Sequence, residues 1–181
     1  MNLKILKETP PWEWPEDACN MFLEILEDDQ ADTHDRILAA ELAGDFTVIN
    51  DELVGALLAV LQRDDEPEIL RGTAAISLGP VLEQADIDEF DDPDAVPVSQ
   101  DTFHKIRESL HRLYLDADVP KTVRRRILEA SVRAPLDWHQ DAVRAAYSSD
   151  DEDWKLTAVF SMRWVRGFDN QILEALARII H

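Results

Sequence analysis

Four stretches of this chain begin on a basic residue and run into alanine at nearly the same distance. They are RILAAELAG from Arg36, RGTAAISLG from Arg71, RILEASVRA from Arg126 and KLTAVFSMR from Lys155. Alanine stands at the third or fourth place after the basic residue (Ala39 and Ala40, Ala74 and Ala75, Ala130, Ala158). Gly44, Gly79 and Ala134 stand at the eighth, where the last copy has Arg163 instead. Places four and eight share one helix face, and small residues there let a neighbouring helix come close. The starts are 35, 55 and 29 residues apart, so the middle interval holds an insertion.

Apolar residues recur with the helical period through most of the chain, and no segment alternates as a strand does. The pattern predicts helices at roughly 15–28, 32–44, 50–63, 67–83, 100–115, 119–133, 137–147, 152–166 and 169–180. Asn50 and Ser99 are placed to act as N-caps, and Pro15 and Pro67 lie at or near first turns. Asp137 and Asp153 open two helices, where a carboxylate satisfies free N–H groups and meets the macrodipole. Only 5 glycines are present, in keeping with an all-α protein.

The insertion lies within EQADIDEFDDPDAVPVSQ, residues 83–100, a stretch with seven acids, two prolines and no helical stripe. Its bounds are set at 84–99 within a single domain over 15–181, preceded by an extension at 1–14. Acids precede each basic start by about a turn: Asp32, then Asp65 and Glu66, then Asp118, then Asp150 and Asp151. The pattern resembles the HEAT repeat family, in which helix pairs carry an acid at the turn, an arginine in the second helix and an AAxxLG-like stretch. DDEPEILRGTAAISLG, residues 64–79, is the best match, followed by DTHDRILAAELAG, 32–44. The resemblance implies an α-solenoid of about four helix pairs plus a terminal helix. It also implies a ladder between repeats, built from the turn acids with Arg36, Arg71, Arg126 and Lys155. It implies no particular activity, because such scaffolds serve many functions.

Charge narrows the range of partners. The chain has a formal net charge of -20, and residues 1–118 carry 29 acidic against 8 basic side chains. A field of that sign repels nucleic acid and anionic lipid and steers basic partners. No apolar run reaches membrane-spanning length, and MNLKILKE is too short and too charged for a signal peptide, so a cytoplasmic protein is expected. One cysteine, Cys19, excludes an intramolecular disulfide and any multi-thiolate metal site within the chain.

Few constellations carry chemistry. His104, Glu108 and His111 fall on one helix face, but the first and third lie about 10 Å apart along a straight helix. They are the only metal candidates, and no native metal site is expected. Asp88, Asp91 and Asp92 belong to the acidic insertion, which lacks the glycine of a calcium loop; they are read as a docking arm for a basic partner. Arg124, Arg125 and Arg133, with Trp138 and Trp154, make a basic, tryptophan-rich C-terminal region and are read as binding residues.

No phosphate loop, dinucleotide fingerprint or zinc-protease motif occurs. The leading expectation is a non-catalytic scaffold, needing no cofactor, that binds a protein through the concave second-helix face. The alternative is a glycosylase-like or lyase-like HEAT protein using Arg126, Asp137, Trp138 and Trp154. Oligomeric state and pathway stay open. ETPPWEWPEDA, residues 8–18, is read as an N-terminal cap. Trp12 and Trp14 would point the same way from an extended segment, and Glu16 and Asp17 would lie in the first helical turn.

Overall fold

A computed structural model describes residues 2–92 and 94–180; Met1, Pro93 and His181, the extremes of the expected segments and one proline of the expected insertion, lie outside them. The described residues are helical, without strands. The helices are α1 (Leu3–Glu8), α2 (Ala18–Glu27), α3 (Thr33–Ala43), α4 (Asp51–Gln62), α5 (Glu68–Ser77) and α6 (Gly79–Asp88). They continue with α7 (Gln100–Leu115), α8 (Lys121–Ser131), α9 (Asp137–Tyr147), α10 (Glu152–Ser161) and α11 (Asp169–Ile180). Short turns join α2 to α3, α4 to α5, α7 to α8 and α9 to α10, and the members of each pair pack together. The second helices also touch in sequence, α3 on α5, α5 on α8 and α8 on α10, while α2 touches α4 and α4 touches α7.

Asn50 and Ser99 cap their helices as expected, accepting from the Leu53 and Thr102 N–H groups. Other boundaries move. The helix expected over 67–83 breaks at Leu78 into α5 and α6, because Pro80 has no N–H to continue the ladder and its ring crowds the preceding turn. Residues 84–88 of the expected insertion are consequently helical, and the irregular segment begins at Glu89, which is left-handed (φ 52°) along with Phe90 (φ 59°). Asp151, rather than Asp153, caps α10, and α9 starts on Asp137 without any side-chain cap from Leu136. The helix expected from residue 15 starts at Ala18, after a turn closed by Ala18 N–H to the Pro15 carbonyl, so Glu16 and Asp17 precede its first turn.

The first fourteen residues contain a helix that the periodicity did not reveal. Leu3 and Leu6 of α1 are buried, and α1 packs on α3. Trp12 and Trp14 diverge, because the chain coils into a 3-10 turn at Pro11–Glu13 instead of extending. Trp12 is 79% exposed, whereas Trp14 meets Phe22 edge-on at 5.5 Å and donates Nε1–H to the Leu6 and Thr9 carbonyls.

Two apolar clusters share α8. The larger runs through Phe22, Leu57, Leu70, Ile106 and Leu110 to Ile127; the smaller joins Leu128 and Val132 to Val143, Ala158 and Phe168. Arg36 is the fourth residue of α3 and Arg71 the fourth of α5. Arg36 donates to the Leu26 carbonyl (3.0 Å) and Arg71 to the Leu61 carbonyl (2.9 Å), each ten residues back and near the end of its pair's first helix. Those carbonyls are among the last four of a helix, which have no partner within it.

The fourth residue of α8 is Arg124, not Arg126, and it is the residue in register with Arg36 and Arg71. The shared Arg–Ile–Leu tripeptide at 36–38 and 126–128 misplaced the origin by two residues among three consecutive arginines. In the corrected register Ile127, Leu128, Ala130 and Ser131 bury at the places that Ala39, Ala40, Leu42 and Ala43 occupy in α3. The expected ladder is therefore revised. Arg36 also holds Glu66 of the next turn in a buried bidentate pair (2.7 and 2.8 Å), but Arg126 bonds Glu129 and Lys155 bonds Glu152, each within its own helix.

Two predictions follow from this packing. Arg36→Ala removes the bidentate partner of the buried Glu66 carboxylate and leaves it only Arg63 at 3.5 Å, and should cost about 3 kcal/mol in denaturant unfolding. A Cβ at Gly44 would lie 2.6 Å from the Ser77 carbonyl oxygen, whereas one at Gly55, inside α4, meets nothing within 4 Å. Gly44→Ala should lower stability by about 1–3 kcal/mol, and Gly55→Ala should raise it by about 0.5–1 kcal/mol; thermal melts of the two variants should move in opposite directions.

Candidate functional site

Equivalent positions on the second helices create a common outward face. The residues one place after the register arginine or lysine are Ile37, Gly72, Arg125 and Leu156; those five places after are Glu41, Ile76, Glu129 and Phe160. Because these places are a turn apart, they share one side of each helix, which is exposed at Leu156 and Phe160 and covered by neighbouring side chains at Gly72 and Glu129. An open groove of about 840 Å³ runs over this face, lined by seven of those eight residues together with Glu68, Ile69 and Thr122. Its apolar parts are two separate banks, Ile69 and Ile76 on α5 and Leu156 and Phe160 on α10. Ile69 is 71% exposed and Leu156 65%.

Between the banks, α8 supplies a hydrogen-bonded floor. Glu129 is buried; its carboxylate accepts from Thr157 Oγ1 (2.8 Å) and Arg126 Nη1 (2.7 Å). Thr157 Oγ1 in turn accepts from Arg125 Nε (2.9 Å), and Arg125 lies 3.8 Å from Asp153. Each cation of the floor is thus committed to a neighbouring carboxylate or hydroxyl. Thr122 donates its hydroxyl to Glu68, an exposed carboxylate that makes no ion pair among the described residues. Glu129 and Thr157 escaped the sequence reading because neither belongs to a motif; a glutamate inside the apolar run RILEAS was the one available signal.

The residues singled out in the sequence do not converge. Arg125 lines the groove, but Arg124 turns away with its guanidinium 5.9 Å from the Trp154 ring. Arg133 pairs with Glu83 (2.6 Å) beside the close approach of Gly79 to α8. Trp138 stacks on His111 at 4.4 Å and meets Tyr114 at 5.3 Å, while Trp154 meets Tyr114 edge-on. Both tryptophans are packing residues of the smaller cluster, and burial pushes the Tyr114 hydroxyl pKa up against the pull of Arg124. Asp88 ends α6 and accepts from Gln84, whereas Asp91 and Asp92 are exposed in the segment that follows. His104 and Glu108 are exposed and His111 is held against Trp138; among the described residues, no three His, Cys, Asp or Glu side chains gather as metal ligands.

His139, next to Trp138, is a buried imidazole with a settled hydrogen-bond pattern. Nδ1 accepts from the Leu136 N–H (2.8 Å), so Nε2 carries the proton and donates to Ser131 Oγ (3.0 Å), which donates to the Leu128 carbonyl. This neutral tautomer ties the start of α9 to the end of α8. Burial holds the His139 pKa down to about 4. The unfolded chain takes up this proton near pH 6.5 and the folded chain only near 4, so protonation favours unfolding. The histidine's contribution, about 3 kcal/mol, should be complete above pH 6.5 and vanish as pH falls towards 4. Unfolding free energies measured between pH 7 and 4 should show this slope, and His139→Gln should flatten it.

No protein-family model, no curated protein and no solved structure matches this chain.

Proposed function

We propose that the chain is a HEAT-like helical-repeat scaffold, without catalytic function, that binds a segment of a partner protein across its second-helix face. One observation carries this reading: α5, α8 and α10 present side chains from equivalent positions to a single open groove with two exposed apolar banks. Apolar side chains at this degree of exposure contribute binding free energy when a partner removes them from water. The sequential contacts of the second helices, and the arginine bond repeated at Arg36 and Arg71, support the solenoid arrangement. Among the described residues no helix is long and apolar enough to cross a membrane, and we propose a cytoplasmic location for the scaffold.

The floor favours a polypeptide over a reactive small substrate. Its polar groups already satisfy one another, and a peptide crossing it meets pre-oriented donors and acceptors without having to disrupt the network. The alternative use of the tryptophan-rich region as a nucleic-acid surface gains no support, because Arg125 and Arg133 are engaged with acids and the tryptophans are engaged in packing.

A display selection of random peptides on the purified protein tests the proposal. Ile69→Glu combined with Phe160→Glu should weaken the selected binders about 10- to 100-fold, the loss expected when anchors worth about 1.5–3 kcal/mol are removed. Both positions are exposed, so the melting temperature should stay within a degree or two. Binders that ignore the double substitution would overturn the reading.

A further inference from the structure

The N-terminal ends of α3, α5, α8 and α10 lie along one side of the groove, stitched together from turn to turn. Arg63, before α5, reaches Asp29, before α3 (2.5 Å); Thr122 of α8 bonds Glu68 of α5; Lys121 of α8 bonds Asp151 (2.8 Å) and Asp153 (3.2 Å) at the start of α10. Along this edge stand Asp32, Asp64, Asp65, Asp118, Asp150 and Asp151. Asp64 lies 3.7 Å from the buried Arg71 guanidinium and is 97% exposed at its side chain. The cations here are already engaged, Arg63 by Asp29, Asp65 and Glu66, Lys121 by Asp151 and Asp153, and Arg71 by Asp64; the carboxylates outnumber them, so the edge keeps a negative excess. The charge does not come from one cluster: each helix pair adds its own turn acids, and the packing of the second helices lines them up.

From this juxtaposition we propose that the occupant of the groove is a basic segment of a partner protein, bearing two apolar anchors and lysine or arginine on the flank facing the acidic edge. This rests on the peptide-binding reading above and names its partner class. The anchors belong on the α5 and α10 banks, which two helix spacings separate by about 20 Å. A short polar stretch between them fits the Glu129–Thr157–Arg125 floor. Flanking cations then approach Glu68, Asp118 and Asp150 within a Debye length of the groove, where attraction is still felt at about 8–10 Å in ordinary salt. An acidic segment would meet the same edge as repulsion, as would a second copy of this chain, which itself carries a net charge of -20.

The charge of the selected peptides decides the matter. Peptides that bind the wild type and are lost on the Ile69→Glu/Phe160→Glu double variant are sequenced and their affinities measured by titration from 50 to 500 mM salt. The expected result is a net positive set that weakens tenfold or more over that range, and again tenfold or more on Asp118→Lys with Asp150→Lys. Both of those aspartates are exposed, so circular dichroism and melting should remain as in the wild type. Groove-dependent peptides without positive charge, or indifferent to the two reversals, would overturn this partner class and leave the peptide-binding groove standing. Basic peptides that bind the Ile69→Glu/Phe160→Glu variant equally well would show the acidic edge acting without the groove, and would overturn the proposal. Failure to recover any groove-dependent peptide would overturn the groove reading itself, and this one with it.

Discussion

The arginine at the fourth position of a second helix, donating to a terminal carbonyl of the helix before it, sets the geometry on which the other features depend. At Arg36 and Arg71 the bond spans the same ten residues and meets an acceptor with no partner inside its own helix. It fixes how far each second helix slides along its first, and hence which residues face the next pair. With that register set, small residues fall where second helices meet. Gly44 approaches Ser77, Gly72 lies against Arg126 of α8, and Gly79 lies against Ala130 of α8 and Arg133 just beyond it. The groove face follows from the same constraint, because places one and five after the register residue lie on the other side of the helix from places three, four, six and seven, which are buried or half-buried except at Val159 of α10.

Helix α8 is where the scheme is both continued and altered. It contributes to both apolar clusters, and its register arginine, Arg124, stacks near Trp154 with its Nε buried. Its neighbours Arg125 and Arg126 face the groove and are neutralised there by Asp153 and Glu129. The run of arginines is thus divided between interior and face, and little of its charge is left for a phosphate backbone. The acids are distributed by a different rule. Carboxylates gather at turns preceding second helices, where free N–H groups and the positive end of the macrodipole favour them. Stacking the pairs then sums these locally favourable choices into a single negative edge.

Much of the fold was legible because helical periodicity and capping are local. Asn50, Ser99 and the existence of the pairs could be read directly. The break at Leu78 depended on Pro80 prevailing over an apolar stripe that ran through it, and α1 was hidden because a six-residue helix gives too few turns for a period to show. Little of the candidate site was legible. Of the residues singled out for binding or for the alternative activity, Arg125 and Arg126 line the groove, whereas Trp138 and Trp154 have apolar neighbours to pack against and Asp88, Asp91 and Asp92 belong to another part of the surface. Gly72, Arg125 and Leu156 occupy equivalent places yet share no chemistry, and no pattern search would group them.

By itself the sequence determined most of the helices, their pairing by short turns, the recurrence of a basic residue before small ones and the sign of the chain's field. These follow from interactions within a few residues or from composition alone. Tertiary packing decided which of three arginines holds the register, that Glu66 and Glu129 become buried partners, and that residues scattered from Glu41 to Phe160 form one groove beside one acidic edge. Those outcomes rest on contacts between helices far apart in the chain. The physical reason is steric and electrostatic together: only when second helices meet through glycine and alanine do their free faces align and their turn acids come within reach of one another.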